Sequence, residues 1–158
     1  MSILKIIIHP NEILRQTAQA VDLNQLSTNY WQKLIADMIE TMIQRDGVGL
    51  AAPQIGQSIR LIVVNTKTGP MAMVNPEIYK KSLTKEWDEE GCLSLPHTFG
   101  QVKRHKSLRC RFIDEAGQER QIEAKGLLAR VIQHEVDHLD GILFIDKAKS
   151  ITTDNYAM

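Results

Sequence analysis

Residues 126–139 read GLLARVIQHEVDHL, and Asp140-Gly141 follow. Wound as a helix, Leu127, Val131, His134 and His138 share one stripe, while Leu128, Ile132 and Leu139 fall on nearly the opposite one. A helix apolar on two sides is a buried helix, so this segment is expected at the centre of the fold. His134 and His138 point the same way, about 6 Å apart along the axis, so their nitrogens can converge on one cation. Glu135 directly follows the first of them, completing His-Glu-x-x-His, the pattern of metal-dependent hydrolases. Two satisfied core histidines would share that spacing. Burying His, Glu and His together without a purpose, however, is costly. A catalytic metal site takes three protein ligands and keeps one position open, which leaves a ligand to be found.

Downstream the choices are poor. Metal proteases with a third histidine need His-Glu-x-x-His-x-x-Gly-x-x-His; Gly141 fits, but the last position holds Phe144, which cannot ligate. Residues 139–158 contain no glutamate and leave little room for another helix, while Asp140 and Asp146 remain formally available. Upstream lies EGCLSLP (90–96). A Cys92 thiolate is a strong ligand, and a metal would hold it deprotonated. Taken alone, though, a free cysteine is most often a small buried hydrophobe, as Cys110 is expected to be inside its strand pattern.

Further out, residues 27–46 place Trp31, Leu34, Ile35, Met38 and Met42 on one helical face, with Ser27 or Asn29 to cap the start and Gly47 to end it. GVGLAAPQIG (47–56) is too glycine-rich and proline-interrupted to continue that helix. SIRLIVVN (58–65) reads as a buried strand, with short strands near 71–75 and 79–87 and a first strand in MSILKIIIHPNE (1–12). LRCRFID (108–114) alternates apolar and basic residues, turns at Glu115-Ala116-Gly117 and pairs with ERQIEA (119–124) as a hairpin. Strands clustered between an early and a late helix favour an α+β fold over alternating α/β.

With 158 residues the chain is expected to form one domain, 1–158. Nineteen basic residues balance nineteen acidic ones, so no global field draws the protein to nucleic acid or to an anionic membrane. No apolar run approaches the roughly 20 residues of a membrane span, and the N-terminus lacks the pattern of a signal peptide. Two cysteines suit a reducing compartment, and a cytoplasmic protein is expected.

Three stretches in order, GVGLAAPQ (47–54), EGCLS (90–94) and QHEVDHLDG (133–141), resemble the signature motifs of the peptide deformylase family. The likeness runs from HPNEILR (9–15) to about Asp146. It implies small antiparallel or mixed sheets packed around the central buried helix that carries His-Glu-x-x-His. It also implies Cys92 as the third metal ligand beside His134 and His138, and Glu135 as the catalytic base. By the same resemblance the side-chain amide of Gln54 and the backbone N–H of Leu93 receive the oxyanion, and Gly49 contacts the substrate main chain. Val48, Leu127 and Val131 are expected to wall an apolar methionine pocket. The glycines Gly47 and Gly49 have their own rationale, close backbone approach or positive φ.

The reaction implied is hydrolysis of the N-formyl group from the formyl-methionine of new polypeptides, releasing formate. One divalent ion is the expected cofactor, Fe(II) foremost, with Zn, Ni or Co able to occupy the same ligands. N-formyl-methionyl nascent peptides are the expected partners. Phe99 stands where some relatives carry a substrate-holding arginine, while Arg104 matches the usual downstream arginine. Only twenty residues follow His138, so the likeness does not extend to the C-terminal helix with which many bacterial members dock on the ribosome, and the expectation of a ribosome partner is weakened accordingly. The rival readings are a metallopeptidase on the same helix chemistry and a metal-stabilised binding module without activity.

Overall fold

The computed structural model describes residues 1–154. The periodic segments at the two ends become α1, Asn29–Gln44, and α2, Gly126–Leu139. Between and after them lie eight strands: β1 Gly49–Ala51, β2 Leu61–Thr66, β3 Gly69–Lys81, β4 Lys85–Cys92, β5 Leu95–His105, β6 Ser107–Ile113, β7 Glu119–Lys125 and β8 Lys149–Thr153. The fold is α+β. Five strands form one antiparallel sheet in the order β1-β2-β3-β6-β7, and three form a second in the order β4-β5-β8.

The unbroken apolar run of β2 is explained by what covers it. Successive strand side chains point to opposite faces, and here both faces are buried. Ile62 and Val64 join Val131, Ile132 and Leu139 of α2 in one cluster. Leu61 and Val63 join Trp31, Leu34 and Met38 of α1 in another. α1 and α2 thus sandwich the larger sheet. The hairpin β6–β7 keeps its alternation: Leu108, Cys110 and Phe112 enter the α2 cluster, while Arg109 and Arg111 are exposed. A third cluster, with Leu14, Leu95, Val102, Leu143 and Phe144, backs the smaller sheet. α2 lies between the two sheets.

Several expectations change. The N-terminal run makes no ladder. Its backbone is tied one group at a time, Leu4 N–H to Thr41 Oγ1 at 2.9 Å, Ile7 N–H to the Gln54 carbonyl at 2.7 Å and His9 N–H to the Ser94 carbonyl at 2.9 Å. The strands expected at 71–75 and 79–87 are the long β3 and the start of β4, separated at 82–84. Thr28 rather than Ser27 or Asn29 holds the N-cap of α1, and Asp46 at φ +54° rather than Gly47 takes the left-handed turn that ends it. The short tail forms β8 against β5. Residues 155–158 lie outside the described part.

Candidate metal centre

α2 brings His134 and His138 together with ring centroids 5.0 Å apart. β4 delivers the third group. Its ladder with β5 runs regularly to Gly91↔Phe99 and then jumps to Cys92↔Leu95. Such an irregularity re-aims a side chain, and Cys92 Sγ ends 3.4 Å from His138 Nε2. One ligand atom from each of Cys92, His134 and His138 lies within 4.8 Å of the others, the one such cluster among the described residues. Asp140 and Asp146, the other candidates, point elsewhere, to Arg60 and Arg15. A thiolate and two imidazoles form a donor set suited to a divalent transition metal.

The surroundings orient these donors. Glu90 Oε1 stands 2.8 Å from His134 Nδ1, leaving Nε2 for the cluster, the carboxylate–histidine arrangement common behind metal ligands. Glu90 is held in turn by Arg104 and by Arg130. Burial works against the Glu90 charge, but His134 and Arg104 outweigh it and hold its pKa far below the usual carboxylate range. Phe144, where a third histidine would stand in other metal hydrolases, is buried with its ring stacked on His134.

Glu135 is 4 % exposed, and its Oε2 has no partner among the described residues. Burial pushes its pKa up to about 7, where a carboxylate can both take and return a proton near neutral pH. Gln54 is buried too. Its Oε1 accepts from Ala51 N–H at 2.9 Å, which turns Nε2 towards Cys92 Sγ at 3.4 Å and Ser94 Oγ at 3.2 Å. Gly49 passes so close that a Cβ there would stand 2.5 Å from Glu135 Oε1 and 2.8 Å from Val131 Cγ1. Neither Gly47 nor Gly49 has positive φ; close approach is the reason for Gly49, whereas a Cβ at Gly47 would press only on the end of the Leu93 side chain, at 3.2 Å. Gly47, Gln54, Cys92, His134 and Glu135 line one cavity of about 760 Å³, with His138 buried behind them. Val48, Gly49, Leu93, Leu127 and Val131 line it as well. Leu127, however, is 66 % exposed and sits at the rim rather than in a closed wall. Phe99 also lines it, its ring lying against Gly91, where a Cβ would be 2.9 Å from Cε1.

The sequence reading missed the partners that hold the site: Glu90 behind His134, Arg130 on Glu90, and Ser94 beneath Gln54. Glu90 and Ser94 sit inside the EGCLS motif, and their residue types alone do not mark them as supports of the site. Arg130, charged in the middle of an apolar helix, was the available signal.

Comparison with known proteins joins the three motifs to one family. The family model for polypeptide deformylase matches residues 3–154. The chain belongs to the peptide deformylase family. It is 42% identical to the peptide deformylase of Desulfitobacterium hafniense, over 94% of this chain and 97% of that one. With the enzyme of Pelotomaculum thermopropionicum it shares 46%, over 96% and 95%. Among solved structures, a class I type b peptide deformylase from Acinetobacter baumannii superposes with a TM-score of 0.91 at 38% identity, covering 93% of this chain and 100% of that one. The Thermotoga maritima peptide deformylase gives 0.89 at 39%, covering 94% and 99%. As a deformylase the chain is a metal-dependent hydrolase that removes the formyl group from the N-terminal formyl-methionine of newly made polypeptides, releasing formate. Among its described helices none is long and apolar enough to cross a membrane.

Proposed function

We propose that Cys92, His134 and His138 hold one divalent cation, natively Fe(II), and that Glu135, Gln54 and Leu93 act on the formyl group beside it. The observation that carries this reading is the convergence of a thiol and two imidazoles within 4.8 Å, next to a buried carboxylate oxygen that has no partner of its own. Iron rests on family likeness, since zinc, nickel or cobalt suit the same donors. The cation would supply Lewis acidity, drawing electron density from the formyl carbonyl and lowering the pKa of the attacking water.

The chain's own residues do the rest. Glu135 takes a proton from the water as its oxygen bonds to the formyl carbon. The Gln54 amide and the Leu93 N–H donate to the oxygen that gains charge. As the C–N bond breaks, Glu135 returns the proton to the departing amine, leaving formate and a free methionine N-terminus. Val48, Gly49, Leu127 and Val131 receive the substrate's first residue, Gly49 through its backbone. An Acinetobacter baumannii relative, 37% identical with a TM-score of 0.88, was solved with Met-Ala-Ser bound, which fits a cleft shaped for a peptide that begins with methionine. Cytoplasmic action and one catalytic domain over 1–158 belong to the same proposal.

The test is anaerobic formate release from a formyl-Met peptide, with metal analysis of the same sample. Wild type should release formate with about one metal per chain, iron when purified without air. Glu135→Gln should keep its metal and lose turnover, and Cys92→Ser should lose most of its metal. Full turnover by Glu135→Gln would remove that residue from the mechanism.

A further inference from the structure

α2 presents two contrasting faces. One is apolar and packs Val131, Ile132 and Leu139 against the five-stranded sheet. The other carries Arg130, Gln133, His134 and Asp137, at offsets 0, 3, 4 and 7, which share one side of a helix. Each of these four side chains bonds to the β4–β5 hairpin. Arg130 Nη1 donates to Glu90 Oε2 at 2.7 Å and to the Val102 carbonyl at 2.8 Å, and its Nη2 donates to the Glu86 carbonyl at 3.0 Å. Gln133 grips the backbone of His105 at two points: Oε1 accepts from its N–H at 3.1 Å and Nε2 donates to its carbonyl at 2.9 Å. His134 meets Glu90, and Arg104 Nη1 donates to Asp137 at 2.6 Å.

The hairpin held this way carries Cys92; the helix carries both imidazoles. An apolar seam would hold the two together at lower desolvation cost, as it does on the opposite face. Hydrogen bonds to fixed carbonyls and amides add something a greasy contact lacks, a single register and separation. Arg130 and Gln133 are each 6 % exposed, so their geometry is not loosened by water.

Resting on the ligand assignment above, we propose that Arg130 and Gln133 are positioning residues: this polar seam sets the distance of the Cys92 sulfur from the two histidines, and with it metal affinity and coordination geometry. Neither side chain ligates. Both act through the hairpin, Arg130 by tying β4 and β5 to the helix from one end and Gln133 by fixing the other.

Full-length protein, stripped of metal and reloaded without air, tests this. Zinc affinity is read by chelator competition, site geometry by the absorption of the cobalt(II) form, and stability by thermal unfolding of the metal-free chain. Wild type should show a thiolate-to-cobalt charge-transfer band that Cys92→Ala lacks. Without that band the ligand assignment fails, and the inference falls with it. With it, Arg130→Met and Gln133→Met should each bind zinc roughly 10- to 100-fold more weakly and shift the cobalt d–d bands while keeping the thiolate band. Arg130→Lys, which can reach Glu90 but not both carbonyls as well, should recover part of the loss. Gln133→Met leaves every contact to Glu90 in place and so reports independently should Arg130→Met fold poorly. Wild-type zinc affinity and an unshifted cobalt spectrum in these variants, even with a lower unfolding temperature, would overturn the inference and leave the seam as adhesion only.

Discussion

Gly49 lacks a side chain because Glu135 occupies the space one would fill, 2.5 Å from the place of a Cβ. Gly49→Ala therefore has to push the carboxylate aside, and if Glu135 is the base proposed above, a displacement of about 1 Å costs on the order of 100-fold in rate. Formate release should fall by about that factor while metal analysis stays at the wild-type level, because no ligand has moved. Equal turnover would mean that Glu135 has room to spare. His134 gives a second expectation at this scale. Burial opposes its proton, but hydrogen bonds with Cys92 and Glu90 and the charge of Glu135 outweigh burial, and its pKa rises to about 10 in the metal-free chain. His138, equally buried and facing the charge on His134, is pushed down instead. Coordination requires His134 to give up its proton. Below a pKa of about 10 that proton is present, so metal affinity should rise with pH by about tenfold per unit or more between roughly pH 6 and 8. Chelator competition at several pH values measures the slope, and a flat profile would contradict the protonated ring.

α2 ends in a Schellman turn, the element-scale counterpart of these contacts. Ile142 N–H bonds to the Asp137 carbonyl at 2.9 Å and Gly141 N–H to that of His138 at 3.2 Å, with Gly141 at φ +72°. A Cβ at Gly141 would stand 2.5 Å from the Arg15 carbonyl oxygen. Left-handed backbone plus that clash should make Gly141→Ala less stable by about 2 kcal/mol or more. The unfolding temperature would drop by roughly 5 °C or more, and an unchanged value would mean the turn rearranges freely. α1 closes the same way through Asp46 at φ +54°, with Gly47 N–H returning to the Met42 carbonyl at 2.9 Å. That difference shows why ends are harder to read than bodies. The periods of both helices and the alternation of β6 are written in residue spacing and were legible. β5, LPHTFGQVKRH, mixes buried and exposed positions irregularly because its ladder jumps at Leu95 and it pairs on both edges. β8 is exposed throughout, so neither strand carries an apolar signature. The N-terminal run looks like a strand because it is β-branched, yet it forms no ladder and is tied instead to α1, the Gln54 turn and Ser94.

At the scale of the whole molecule, α2 joins two sheets and the site exists only at their junction. His134, Glu135 and His138 were readable because one helix holds all three. Cys92 lies 46 positions from His138 in the chain and no local spacing connects them; only the family motif did. Glu90, Arg130 and Ser94 escaped notice because their work is done across that junction. Assembling the site also loads the fold with a cost that can be measured. The Glu135 carboxyl ordinarily titrates near 4.5 and is pushed by burial up to about 7. The native state therefore keeps this proton to a higher pH than the unfolded chain does. Between those two values stability falls as pH rises, and above about 7 the full penalty is present. Glu135→Gln cannot ionise and escapes it. In the metal-free state the variant should be more stable than wild type by on the order of 1–3 kcal/mol near pH 8, a gain of several degrees in unfolding temperature. The gain should shrink steadily as pH falls from about 7 and vanish below the ordinary carboxyl pKa, where the carboxyl is protonated in both states. Thermal unfolding of the two chains across that range decides the matter: a pH-independent difference would locate the effect in packing rather than in the buried charge. A gain confined to neutral and alkaline pH would show that the fold sacrifices stability to keep an unpartnered carboxylate beside Cys92, His134 and His138.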